Sequence, residues 1–214
     1  MALLSAYATA AEYRSRTNKT DIADDADILA QLTAMSRMLE RECRVAPGTW
    51  NAGTASESRY FTPVTYANRL LRLVDELGFQ HVITTIDNNG IAVDSDGDGD
   101  YDYTIDPAGE TWVVARPAIQ LGRPYESLEL FGFTTATFNY WPNYPRAVRV
   151  TGTWGWSAVP EPIKEMVIKM TRDIRDSQEA GAAGLLSGSG FKTDTWRLWL
   201  SLKSEYSYES LVLA

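Results

Sequence analysis

"VRVTGTWGWSAVPEPIKEMVIKMTRDIRD" (residues 148–176) holds the two patterns that set the fold. Its first half alternates β-branched and aromatic residues with polar ones, the period of a strand, and stops at a glycine-rich corner, Thr-Gly-Thr-Trp-Gly-Trp. Its second half opens on Pro160 and Pro162, which suit a first helical turn. Ile163, Met166, Val167, Met170 and Ile174 then recur at a helical period and form one apolar stripe. The helix is expected to stop near Gly181. A strand therefore feeds an amphipathic helix at this point, and the chain changes character across it.

Upstream, from about residue 57 to 153, the strand texture persists, broken by Gly, Pro, Asn and Asp. "HVITTIDNNGIAV" (81–93) predicts two short strands around an Asn89-Gly90 hairpin turn. "YDYTI" (101–105) places Tyr101, Tyr103 and Ile105 on one face and Asp102 and Thr104 on the other. "ETWVVARP" (110–117) and "YESLELFGF" (125–133) read as further strands.

Further outward on both sides the pattern is helical. Residues 4–17 read as a short helix and residues 21–44 as a longer one. Ile28, Leu29, Leu32, Met35, Leu39 and Cys43 form the stripe of the second. Asp21 is its expected N-cap, acidic residues fill its early turns, Arg37, Arg41 and Arg44 sit at its other end, and Pro47 and Gly48 end it. After the connector "GAAGLLSGSG" (181–190), a final helix begins at Thr193 and leads into an apolar tail. The expected class is α+β: a helical bundle formed by the N- and C-terminal helices, with an antiparallel β domain inserted between them. The expected segments are 1–56, 57–153 and 154–214.

The chain has 214 residues, 44% hydrophobic and 22% charged, an ordinary globular balance. No apolar run approaches the ~18 residues of a membrane span, and "MALLSAYATAAEYRSR" lacks the basic start of a signal peptide, so it reads as structure. Cys43 is the only cysteine, which precludes an intrachain disulfide, and its place on an apolar stripe predicts a buried, inert thiol. The net charge is −8. Asp87, Asp94, Asp96, Asp98, Asp100, Asp102, Asp106 and Glu110 lie in a stretch without Lys or Arg, and the other 20 acids match the 20 bases. One segment carries the whole imbalance, which argues against a general basic surface for nucleic acid.

That segment contains "DSDGDGDYD" (94–102), which resembles half of a calcium loop. In the one workable register Asp94, Asp96 and Asp98 take loop positions 1, 3 and 5, Gly99 takes position 6 and Asp102 position 9. Position 12, which needs a bidentate Glu, is Ile105. Asp94, Asp96, Asp98, Asp100 and Asp102 are the candidate calcium ligands; the plainer expectation is an acidic β-hairpin tip that collects cations weakly. No other cofactor is expected. His81 is the only histidine, in an expected strand, which excludes a His-rich zinc site. The serine-hydrolase elbow, the zinc-protease helix motif and the glycine-rich phosphate loops are all absent, and no enzymatic activity is expected. Trp154, Trp156, Trp196 and Trp199 fall near element boundaries, where anchoring is a better expectation than sugar binding.

"VRVTGTWGWSAVPEPIKEMVIKMTRDIRD" resembles the head-tail connector, or adaptor, proteins of long-tailed bacteriophages, and Trp154, Gly155, Trp156 and Pro160 mark its strand–helix junction. "YATAAEYRSRTNKTDIADDADILAQLTAMSRMLERECR" (7–44) is similar to the opening of these proteins, and "DSDGDGDYDYTI" (94–105) and "RPYESLEL" (123–130) fit longer members. The resemblance covers most of the chain, in order, through short packing motifs. It implies a structural virion protein at the head-tail interface, made in the host cytoplasm. Such proteins form a ring, usually of twelve copies, under the portal. They extend the DNA channel, through which genomic DNA passes without sequence-specific binding, and carry a stopper or tail-completion protein. No membrane is involved. Carried onto this chain, the last helix and tail would bind the portal through Trp196, Trp199, Leu200, Tyr206, Leu211, Val212, Leu213 and Ala214. The alternative reading is a calcium-stabilised binding module built on residues 94–102.

Overall fold

The computed structural model describes residues 5–18, 20–51, 53, 55–63, 69–105, 123–130, 140–179 and 191–206, and the backbone of 113–117. Two compact units emerge: residues 1–50 with 159–214, and residues 51–158. The class is α+β, with four helices in the first unit and seven strands in the second among the described residues.

In the helical unit, α1 spans Ala10–Thr17 rather than starting near residue 4. The cause is a capping box at Thr9. Its hydroxyl accepts the Glu12 amide at 3.1 Å, and the Glu12 carboxylate accepts the Thr9 amide at 2.8 Å. Glu12 also accepts an ion-pair hydrogen bond from Lys164 at 2.8 Å, tying α1 to α3 (Glu161–Glu179). That bond, first, and the Thr9 donors hold the Glu12 carboxyl below its usual range. The folded pKa is depressed, so this contribution is present above the unfolded value of about 4.5 and is lost as pH falls through the folded one. Thermal melts between about pH 3 and 6 should therefore show a steeper acid loss for the natural chain than for Glu12→Gln.

The second helix, α2, spans Asp25–Cys43 and begins four residues later than the sequence pattern suggested. Asp21 is not its N-cap. The Asp21 carboxylate accepts the Ala23 amide at 2.8 Å in a local turn, and Asp24 occupies the cap position without a side-chain capping bond. The helix ends before Pro47, at a left-handed Arg44 (φ 54°) whose amide reaches the Glu40 and Arg41 carbonyls. Its buried face is Ile28, Leu32, Ser36, Leu39, Glu40 and Cys43. Leu29, expected in the stripe, is 47% exposed, because the buried arc runs toward Ser36 and Glu40 instead. Cys43 is fully buried and its thiol is pushed up to about 12, as an inert core residue requires.

Helix α3 follows Pro160, whose carbonyl accepts the Ile163 and Lys164 amides. Ile163, Met166, Val167 and Met170 are buried and Ile174 is partly so. The last helix, α4, spans Thr193–Tyr206. Ion pairs link the helices: Arg16 with Glu161 and Glu165, Arg175 with Asp24, and Lys203 with Glu42.

The β unit is one antiparallel sheet of β1 (Ser56–Phe61), β2 (Leu70–Arg72), β3 (Ile83–Val93), β4 (Tyr103–Ile105), β5 (Val113–Pro117), β6 (Tyr125–Leu130) and β7 (Val148–Trp154). The order is β1-β7-β3-β6-β2, with β4 added to β3 and β5 to β6. Its core gathers Phe61, Leu71, Ile83, Val93, Leu128, Val148, Val150 and Trp154 from five of the strands, with Trp141 from a loop. Alternation along β7 is complete, with Val148, Val150, Gly152 and Trp154 buried.

Asn89-Gly90 is not a hairpin turn. Residues 83–93 form one strand, and the pair makes a bulge within it. Ile86 faces Gly152 and Ile91 faces Val150, so four residues of β3 stand against the single Thr151 of β7. Asn89 takes the left-handed conformation (φ 54°) the motif favours. At Gly90 a Cβ would come within 2.6 Å of the Asp87 and Thr151 carbonyl oxygens, so only glycine fits. The true hairpin lies one segment later, where β3 and β4 pair from Ile91–Ile105 to Val93–Tyr103 around the tip 94–102.

Candidate functional site

The acidic tip is built by its own backbone. Asp94 is 5% exposed; its two carboxylate oxygens accept the Gly97 amide at 2.7 Å and the Gly99 amide at 3.1 Å, and its own amide donates to the Ala147 carbonyl. Asp96 accepts from the Asp98 amide and Asp98 from the Asp100 amide, successive Asx turns. Asp102 accepts from the amide and hydroxyl of Ser95, and these bonds lower its carboxyl pKa. Gly97 (φ 84°) lies against the Tyr144 ring, where a Cβ would sit 2.8 Å from a ring carbon.

Carboxylate oxygens of Asp94, Asp96 and Asp102 lie within 4.8 Å of one another. Of the five expected calcium ligands these three converge, and Asp98 and Asp100 are not in the group. With one oxygen from each, three carboxylates would give a hard cation three protein ligands, fewer than the six to eight that calcium takes. Each of the three already accepts backbone or hydroxyl donors.

Beside the tip, aromatic and basic residues share a patch that sequence reading did not single out. Arg149 stacks over Tyr101 at 4.6 Å and Arg146 over Tyr60 at 4.2 Å, while the Tyr60 and Tyr101 rings are 6.3 Å apart. The Tyr101 hydroxyl donates to the Arg146 carbonyl at 3.0 Å. Tyr60 and Tyr101 are 41 positions apart, and only the strand pairing brings them together, so no local signal could have found the patch.

His81 lies in the two-residue approach to β3 and is only partly exposed. Its Nε2 meets the Asp75 carboxylate at 3.0 Å and its Nδ1 meets the Arg59 guanidinium. Burial, and then the charge of Arg59, lower its pKa. Every polar atom of the ring is thus engaged by the fold.

The expected strand–helix junction residues are structural. Trp154 donates from Nε1 to the Glu57 carbonyl at 2.8 Å and packs on Phe61 and His81, with Arg59 over its ring at 4.6 Å. Gly155 needs its positive φ of 101°; its amide donates to Val82 and its carbonyl accepts from Thr84. Trp156 has Arg123 over its ring, and Pro160 immediately precedes α3.

Of the expected portal-binding residues, Trp199 is fully buried and Tyr206 is 7% exposed against Trp50, so both serve the core of their own unit. Trp196 is partly exposed and Leu200 is 50% exposed, with Leu198 beside it at 37%. Leu211, Val212, Leu213 and Ala214 lie outside the described residues.

Also unanticipated is a buried polar node on α2. One Glu40 oxygen accepts from Tyr7, from Arg37 at 2.7 Å and from the Gly48 amide at 2.5 Å. Burial pushes the Glu40 carboxyl up, and the three donors pull it back. No helix among the described residues is long and apolar enough to cross a membrane. No protein-family model matches the chain, and no curated protein matches it.

Proposed function

We propose that the chain is a structural adaptor subunit of a bacteriophage neck and not an enzyme. Copies of it, twelve in the family it resembles, would form a ring between the portal and a stopper or tail-completion protein. One observation carries the reading. Residues 1–50 and 159–214 belong to a single helical unit, and residues 51–158 make a sheet inserted between them. In this reading the helices form the bundle that carries the ring, and the sheet meets neighbours or the downstream neck protein. The exposed Leu198 and Leu200 of α4, with the apolar tail beyond Tyr206, supply the contact to the portal. The excess acid of residues 87–110, if it faces the channel, keeps DNA from adhering by like-charge repulsion. The proposed setting is the virion, with assembly in the host cytoplasm.

Light scattering of the chain, alone and mixed with the portal protein encoded by the same genome, tests the proposal. A complex with the portal is expected, and failure to associate sinks the reading. Leu198→Asp with Leu200→Asp should weaken that complex while leaving the helix content unchanged, because both side chains are exposed.

A calcium-stabilised module has one observation in its favour, the convergence of Asp94, Asp96 and Asp102. With so few ligands, calorimetric titration should give no saturable heat at low millimolar calcium; saturable binding there would favour that reading instead.

A further inference from the structure

We infer that His81 is an acid-sensitive pin for the edge strand β1: the neutral imidazole holds Arg59 in place over Trp154, and protonation of the ring expels it. The argument is geometric. A guanidinium can only donate hydrogen bonds, so the Nδ1 that faces Arg59 must present a lone pair. The single proton of the neutral ring is then on Nε2, where it is donated to the Asp75 carboxylate at 3.0 Å. Both nitrogens are committed, and the tautomer is fixed by its neighbours. A second proton could enter only at Nδ1, where it would point at the N–H of a cation.

The charged groups around the ring are Arg59 and Glu57 on β1 and Asp75 in the turn after β2. Glu57 sits 3.5 Å from the outer nitrogen of Arg59 and is 64% exposed, so it is a weak alternative partner. Phe61 and Trp154 close the other sides of the ring with centroids 6.0 and 6.1 Å away. Asp75 alone would favour an imidazolium; burial and Arg59 act against it and are the stronger influences.

What the pin holds is an edge. Among the described residues β1 pairs only with β7, from Ser56–Thr153 to Phe61–Val148. Arg59 adds a side-chain tie, since its guanidinium bridges the His81 nitrogen and the face of Trp154, the last residue of β7. Removing Arg59 from that position leaves β1 with its ladder, the Trp154 indole bond to Glu57, the Ser56–Asp87 and Ser58–Thr151 bonds and the Arg146 stack on Tyr60, but takes away its tie to the His81 side of the sheet. The folded pKa is depressed, so stability from this contact is full at neutral pH. It is lost as pH falls from the unfolded value, about 6.5, through the folded one.

Because the chain has one histidine, a single imidazole resonance reports the event without assignment. In an NMR titration that resonance should show the Nε2–H tautomer and titrate below the ordinary range, and Arg59→Gln should move its midpoint upward. Hydrogen exchange of the β1 amides, compared with His81→Gln at each pH, gives the mechanical readout. Glutamine retains one donor for Asp75 and one acceptor for Arg59 but cannot take up a proton. Protection of β1 should fall about tenfold or more on acidification in the natural chain and stay flat in the variant. An imidazole that titrates at or above its ordinary value, or equal loss of β1 protection in both proteins, overturns the inference.

Discussion

Replacing Glu40 by alanine is expected to destabilise the helical unit by about 3–5 kcal/mol, the range for breaking a buried charged network from one side. Glu40 is 2% exposed, and one of its oxygens receives the Tyr7 hydroxyl, the Arg37 guanidinium and the Gly48 amide. Alanine would strand all three donors at once. Arg37 would lose its ion pair while a second nitrogen still reaches the Ser5 carbonyl. Tyr7 would lose the contact that anchors residues ahead of α1, although its amide would keep the Ser36 hydroxyl at 3.0 Å. The Gly48 amide, in the turn after α2, would have no replacement acceptor on that side chain. Glu40→Gln keeps an acceptor but loses the charge, so about 1–3 kcal/mol is expected. Tyr7→Phe removes the hydroxyl that donates to Glu40 and accepts the Trp50 amide at 3.3 Å, so about 1–3 kcal/mol is expected. Urea unfolding followed by circular dichroism at the helical band measures the series. If the alanine and glutamine variants prove equal, charge pairing is not what makes this node matter.

Trp154→Ala should cost the β unit about 3–5 kcal/mol. The ring is 5% exposed and fills the end of the sheet core against Phe61, with centroids 5.6 Å apart. Its indole N–H holds the Glu57 carbonyl at 2.8 Å, and its face carries Arg59. The variant therefore loses apolar volume, a hydrogen bond across β1 and β7, and the platform under a partly buried cation. Trp154→Phe keeps most of the volume and a face for Arg59 but not the indole bond, and about 1–2 kcal/mol is expected. Denaturant melts read at the strand band of the circular dichroism spectrum separate the two. A Trp154→Ala loss below that of Trp154→Phe would show that the site collapses without cost.

Local sequence carried the helices and most strands because their information is periodic. The Ile163 to Met170 stripe of α3 and the alternation along β7 each need only neighbours a few positions apart. Helix starts were less legible, since they depend on which side chain captures the first free amides. Thr9 and Glu12 form their capping box inside a stretch whose composition already looked helical, and Asp21 spends its carboxylate on a local turn. Asn89-Gly90 has two structural uses, hairpin turn or bulge, and both accept a left-handed Asn89. The choice fell to Gly152 and Val150 of β7, about 60 positions away, which pair with Ile86 and Ile91 on either side of it.

By itself, then, the sequence determined the α+β class, the run of helices, strands and helices, the buried thiol of Cys43 and the place of the excess negative charge. These depend on residue type and short-range period. The tertiary structure decided what becomes of individual polar groups. It buried Asp94 and turned its oxygens onto Gly97 and Gly99, drew three of five aspartates together, and locked His81 between Asp75 and Arg59. It also spent Trp199 and Tyr206 on the chain's own core. A polar side chain's fate is set by whichever donor or acceptor the fold brings within about 3 Å, and that partner is usually far away in sequence.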